Sequence, residues 1–148
     1  MKNIICPVSV DKISKTTPRV VAFITVGLFL IYIKTGLLPI VVFLAFDFFA
    51  RGFNHANFSL ISIIAKPVSK RINPDAELIN KAPKLFAARL GGIMSVLIIV
   101  FDLINLKLFA GSIALLILSL ATLECVLNFC VGCYIYSWIV LPLSQKRN

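Results

Sequence analysis

The sequence predicts an all-α fold: a four-helix transmembrane bundle made of two helical hairpins, with a short interfacial helix in the segment between them. Three observations predict it. First, 59% of the 148 residues are apolar and only 14% are charged, with a mean hydropathy of +0.99. A soluble chain of this size needs more polar residues than that to cover its surface, so lipid must cover the apolar exterior. Second, the apolar residues fall into four blocks separated by short polar breaks. Third, the basic residues collect in alternate connections between those blocks.

The first helix spans about residues 19–34 and the second about 37–53. Lys34-Thr35-Gly36 separates them. Gly favours the left-handed conformation that closes a helix, and Pro39 suits the first turn of the next one, so the break reads as a tight hairpin. Both helices are short against the roughly 20 residues that a bilayer core takes, and need flanking residues or local thinning to span. The third helix covers about 86–106 and fits one span. The fourth, about 108–140, is too long for one upright span, and its last third is expected to emerge at the surface.

Between the hairpins, Phe58–Ala65 is too short to span and is expected to lie in the interface as a short helix that Lys66-Pro67 ends. Pro74-Asp75-Ala76-Glu77 resembles a helix start, with Asn73 as cap, Pro at the first helical position and acids in the first turn. The N-terminus is a poor secretory signal, so the first helix is expected to be retained. The chain reads as one membrane domain, 1–148.

Orientation follows from charge. Lys2, Lys12, Lys15 and Arg19 precede the first helix. Arg51, Lys66, Lys70, Arg71, Lys81, Lys84 and Arg89 lie in or beside the central segment, and Lys146 and Arg147 in the tail. The two hairpin loops hold only Lys34 and Lys107. With both termini and the central segment on one side, that side has thirteen basic residues and the other two. The positive-inside rule makes the richer side cytoplasmic. The net charge of +9 is therefore a topology signal, and no nucleic-acid partner is expected.

Three of the six acids, Asp47, Asp102 and Glu124, lie within apolar blocks. A charge in hydrocarbon costs on the order of 3 kcal/mol or more, so such groups face the bundle interior and find partners. Asp47 and Arg51 stand four apart, on one helix face, and Arg89 is expected at a similar depth and able to join them. A structural salt bridge is the plainer reading of this group, ahead of a functional one. Asp102 is within reach of Lys107. Glu124 has no basic residue within a turn or two; it is expected to be protonated, or bonded to Asn128, and is open to a relay role.

The cysteines are the most pointed feature. Cys130-Val-Gly-Cys133 forms a Cys-x-x-Cys pair, and the predicted topology puts Cys6 on the same side. Two thiols at that spacing can close a reversible disulfide or share a soft metal. A zinc site lacks a second pair, since only Cys6, Cys125 and His55 remain, so no metal is assigned. On one continuous fourth helix the pair would lie toward a helix C-terminus, which raises a thiol pKa, while nearby Lys and Arg lower it. Plain packing is the competing account of two cysteines in an apolar helix, and the better one for Cys125. Glycine-rich phosphate loops, dinucleotide fingerprints and Ser/His/Asp arrangements are not found, so no cofactor is implied.

Cys6-Pro7-Val8-Ser9, Asp47-Phe-x-x-Arg51-Gly52-Phe53, Ala82-Pro83-Lys84-Leu85-Phe86-Ala87-Ala88-Arg89-Leu90-Gly91 and Phe129-Cys130-Val-Gly-Cys133-Tyr-Ile-Tyr136-Ser137 together resemble a domain-of-unknown-function family of small bacterial integral membrane proteins. The resemblance spans nearly the whole chain. It implies a complete single-domain protein of the bacterial cytoplasmic membrane and carries no activity with it. Three functions compete. The first is thiol redox or sulfur handling by Cys6, Cys130 and Cys133 with a thioredoxin-like or sulfurtransferase partner. The second is a small homo-oligomeric transporter or channel for a sulfur species or soft metal ion, its polar path lined by Asp47, Arg51, Arg89 and Glu124. The third is a non-enzymatic scaffold.

Overall fold

The computed structural model describes residues 12–55 and 57–146. It is mostly helical, in the order β1 (Lys12–Ser14), α1 (Thr16–Thr35), α2 (Leu38–Gly52), α3 (Leu60–Ile72), β2 (Leu78–Asn80), α4 (Ala82–Leu103) and α5 (Lys107–Leu127). A last helix, α6, runs without a break through Val131–Ile135, Tyr136–Val140 and Leu141–Gln145, its middle segment wound as a π-helix. Cys6 lies outside the described residues.

Three helices, α1, α4 and α5, are long and apolar enough to cross a membrane. At 15 residues, α2 reaches about 22 Å, short of a bilayer core of about 30 Å. Large apolar side chains face outward all round: Leu108 is 82% exposed, Trp138 74% and Phe23 69%. That exterior suits lipid, as the composition required.

Helix ends follow local rules. Gly36 closes α1 in the left-handed region (φ 67°), its N–H donating to the Tyr32 carbonyl at 2.7 Å, and α2 starts with Pro in its first turn. Asn54, Asn105 and Asn128 take positive φ after α2, α4 and α5, as asparagine does where no glycine is present.

The helices meet end to end in a consistent way. Arg19 at the start of α1 donates through Nε to the Cys125 carbonyl near the end of α5, at 3.2 Å. Arg89 near the start of α4 donates to the carbonyl of Gly52, the last residue of α2, at 2.8 Å. Lys84 in the first turn of α4 pairs with Glu124 near the end of α5 at 2.9 Å. The start of α1, the end of α2, the start of α4 and the end of α5 thus gather at one end of the bundle. Phe29, Val41, Leu44, Ile98, Ala114 and Ile117 fill the core between the helices.

Four expectations change. The fold is not purely α: β1 and β2 pair antiparallel, with Ile13 opposite Ile79, and Lys15 N–H extends the pairing to the Glu77 carbonyl at 2.9 Å. Residues 74–77, read as a helix start, form a turn into β2. Of these, the Glu77 carbonyl is taken by Lys15 N–H next to β1, and the three residues that follow pair with β1 as a strand. The central helix does not stop at Lys66-Pro67 but runs on to Ile72. Pro67 removes one intrahelical bond, while packing on α1 holds the later turn: Ser69 is buried and accepts from Thr17 Oγ1 at 3.1 Å. Finally, the fourth helix is two helices, broken at Asn128–Cys130.

Candidate functional site

Among the described residues, the end where the four helix termini meet holds most of the buried polar side chains. Asp47, 1% exposed, sits on the inner face of α2. Its Oδ1 accepts from Ser59 Oγ at 2.6 Å and from Ile61 N–H at 3.3 Å. Ser59 in turn caps α3, accepting from Ser62 N–H at 3.1 Å. Asp47 Oδ2 lies 2.9 Å from Arg51 Nε, but off the line of a good hydrogen bond. The pair is therefore held by charge more than by bond alignment. The predicted i,i+4 pairing is present, and it also ties α3 to α2.

Arg51 is held on two sides: Asp47 at its Nε edge and the Phe48 ring beneath, 4.7 Å from ring centroid to Cζ. Its Nη2 is buried without a hydrogen-bond partner. Arg89 does not join this pair. It closes the C-terminus of α2 through the Gly52 carbonyl and lies over the Phe53 ring at 5.3 Å. A cation there satisfies carbonyls that the helix leaves unpaired. Gly52 is required for this approach, because a Cβ there would fall 2.7 Å from Arg89 Cγ.

Glu124 is not alone. Its partner Lys84 lies 40 residues away in sequence, which is why no neighbouring basic residue announced it. The contact with Lys84 stands where a bond to Asn128 was expected. Asn128 instead adopts φ 54° and ends α5, and Cys130, in an extended conformation, leads into a new helix.

This break changes the cysteines. Cys130 is the N-cap of α6, and its Sγ accepts the Cys133 N–H at 3.4 Å. The pair lies at a helix start, not a helix end, so the sign expected for the helix field is reversed: partial positive charge favours a thiolate. The Cys130 thiol is pulled down to about 7, first by a hydrogen bond from the Cys133 thiol. The Cys133 N–H and Lys84 add to this against burial and Glu124. Cys133 is pushed up, first by that same bond to Cys130 and then by burial. Cys125, Cys130 and Cys133 are all free thiols. Among the described residues no three His, Cys, Asp or Glu side chains gather as metal ligands.

Two adjoining cavities, of about 150 and about 170 Å³, open at this end. Both are lined by Val21, Phe48, Arg51, Ala87, Glu124 and Cys130. Of the predicted residues, Arg51, Glu124 and Cys130 therefore share one space. Asp47 supports it through Arg51, and Arg89 contacts the end of α2 instead. Lys84 completes the group and was not singled out. An asparagine followed closely by Cys-x-x-Cys is the local signal for the break that was missed.

The lowered Cys130 thiol makes a kinetic prediction. At pH 7 a thiol of pKa about 7 has roughly fifty times the thiolate of one at 9, offset by roughly eightfold lower intrinsic nucleophilicity. Iodoacetamide is expected to modify Cys130 about sixfold faster than an ordinary thiol, by peptide mass spectrometry. The rate should rise through pH 7 and level above it, because the anion is the reacting form. A midpoint near 9 would contradict the geometry.

Comparison with curated proteins and with solved structures finds no match to this chain. Its family is shown by a match over residues 13–140, which takes in the Asp47–Arg51 stretch, the start of α4 and the Cys130–Cys133 pair: the chain belongs to the family described as Domain of unknown function (DUF4395).

Proposed function

We propose that this protein is a multi-pass thiol–disulfide exchange protein of the bacterial cytoplasmic membrane, with Cys130 as attacking thiol and Cys133 as resolving thiol. One observation carries the reading: a cysteine with a lowered pKa caps a helix, accepts from its Cys-x-x-Cys partner, and lines a cavity. The thiolate is the nucleophile in disulfide exchange.

Cys130 attacks one sulfur of a disulfide on a thioredoxin-like cytoplasmic protein. A Cys130–partner bond forms, and the partner's other sulfur leaves as thiolate and takes up a proton. Bonding of Cys130 removes the anion that held the Cys133 proton. Cys133 then loses that proton to water and attacks Cys130. The intramolecular disulfide closes, and the partner leaves with two electrons. The same steps in reverse oxidise a reduced partner. A sulfurtransferase persulfide presents the same kind of S–S bond to the same attack. Cys6 is the candidate third thiol.

The topology proposed with this chemistry has four spans in two hairpins, α1 with α2 and α4 with α5, and both termini in the cytoplasm. Thirteen of fifteen basic residues on one side support it, as do Arg19, Arg51, Lys84 and Arg89 near one end of the bundle. Local bilayer thinning accommodates the short α2, and α3 lies in the interface.

The test is thiol counting by maleimide mass shift on the full chain in membranes, poised with reduced and oxidised dithiothreitol. Wild type is expected to lose two thiols on oxidation, and C133S to trap a mixed disulfide with the partner. Labelling of both cysteines unchanged at every poise, with no trapped species in C133S, would overturn the reading.

A further inference from the structure

The cavities beside Cys130 are built for more than a protein thiol. A protein disulfide needs access to one sulfur. Here Cys130 lines a space that enters the bundle between α1, α2, α4, α5 and α6, walled by Val21, Phe48, Leu90, Met94, Ile117 and Leu120. Together the two cavities reach the lower end of the roughly 300–1,000 Å³ typical of ligand clefts.

The polar groups narrow the ligand. Arg51 lines both cavities, and its buried Nη2 has no acceptor. A buried donor without a partner is costly, so a ligand that supplies an acceptor oxygen is favoured. That ligand is not an anion. Asp47 already balances Arg51, and Glu124, which also lines both cavities, balances Lys84. Lys81, at the smaller cavity, has an interaction of its own. A third negative charge would meet the Glu124 carboxylate in an apolar space, where repulsion is least screened. A neutral, flat, apolar molecule with a carbonyl oxygen meets each condition: Arg51 for the oxygen, Phe48 for the ring face, and aliphatic walls for the rest.

A dithiol beside such a site needs a two-electron acceptor, and a membrane supplies one of this chemistry. We propose that the cavities hold the ring of a lipid quinone, which takes the electrons of the Cys130–Cys133 dithiol. The inference rests on the exchange reading and names the second substrate of that site. In the step, both S–H bonds break and one S–S bond forms. The two sulfurs are oxidised, and the quinone takes two electrons and two protons, its carbonyl oxygens becoming the hydroxyls of a quinol. Arg51 donates to one carbonyl and stabilises the negative charge that builds on it.

The experiment uses the full chain in detergent with a photoreactive azidoquinone, competed by decyl-tailed benzoquinone or naphthoquinone. The two competitors separate the ring types, and competition by either supports the site. In a C130S/C133S variant, binding is read without redox chemistry. Competed crosslinks are expected on peptides of α2, α4, α5 or α6. Affinity should fall about tenfold in R51Q, from loss of one charge-assisted hydrogen bond. Should R51Q not fold, A121F, which fills the larger cavity, should block the crosslink instead. In wild type, each quinol formed should consume two thiols. Absence of a competed crosslink, or quinone that leaves the thiols unconsumed, overturns the proposal. If thiol exchange with dithiothreitol persists in that case, the exchange reading stands without the quinone.

Discussion

Replacing Asp47 by alanine is expected to destabilise the protein by about 3–5 kcal/mol, the range for removing one partner of a buried charge pair. The effect has three parts. Arg51 keeps its charge in a largely enclosed position, 15% exposed, with no carboxylate beside it. Ser59 Oγ loses its acceptor, and Ile61 N–H loses the oxygen that receives it at the start of α3. Both groups are walled in, since Ser59 is fully buried and Ile61 nearly so, and water cannot replace what is lost. Asp47→Asn keeps an oxygen for Ser59 and should cost less. Unfolding in mixed micelles, followed by helical circular dichroism over an SDS series, reads both variants. A loss under about 1 kcal/mol for Asp47→Ala would show that the pair is solvated, as surface pairs are. The same variant should release α3 from α2, so proteolysis within residues 60–72 should quicken.

The second large effect is expected at Gly132. A Cβ there would lie 2.6 Å from Ala87 Cβ and 3.0 Å from Ala87 Cα, closer than any side chain tolerates. In Gly132→Ala the first turn of α6 must move off α4, at about 1–3 kcal/mol for overpacking. Displacement carries Cys130 with it, because Cys130 caps that turn. The Cys130 hydrogen bond to the Cys133 N–H and its position near Lys84 both depend on the turn. The alkylation midpoint should therefore shift upward from about pH 7, toward an ordinary thiol. Adding Ala87→Gly removes the nearest clashing atom and should restore part of both stability and midpoint. Gly132→Ala with unchanged alkylation and unfolding would mean that α6 is not packed on α4 in solution.

Several parts of the fold were legible in the residues. Composition required an apolar exterior, and the apolar runs located the three helices able to cross a membrane, although the run at α1 read short of a span and the run at α5 read on to residue 140. Gly36 and Pro39 located the α1–α2 break, because a left-handed closing residue and a first-turn proline act within one turn of chain. Asp47 and Arg51 were placed together by helix geometry alone. These signals share a cause: each depends on neighbours a few residues apart.

Where the decisive partner is distant, the tertiary structure set the outcome. Residues 74–77 carry helix-start residues, yet the segment at residues 12–15 takes the backbone bonds of Glu77 and the strand that follows it. Pro67 should end a helix, yet Ser69 is held against Thr17. Glu124 lacked a local cation, and Lys84 on α4 supplies one. The largest change is at residues 128–130. Apolar residues continue on both sides of Asn128, so a hydropathy reading extends the helix. Asn128 in the left-handed region stops it, and another helix starts at Val131, with Gly132 seated closely on Ala87. The pattern of apolar residues determined that the chain is mostly helical, with helices long and apolar enough to cross a membrane. Only the packing of α6 on α4 decided that Cys130 begins a helix instead of ending one, because the sign of a helix field depends on where the hydrogen-bond ladder breaks.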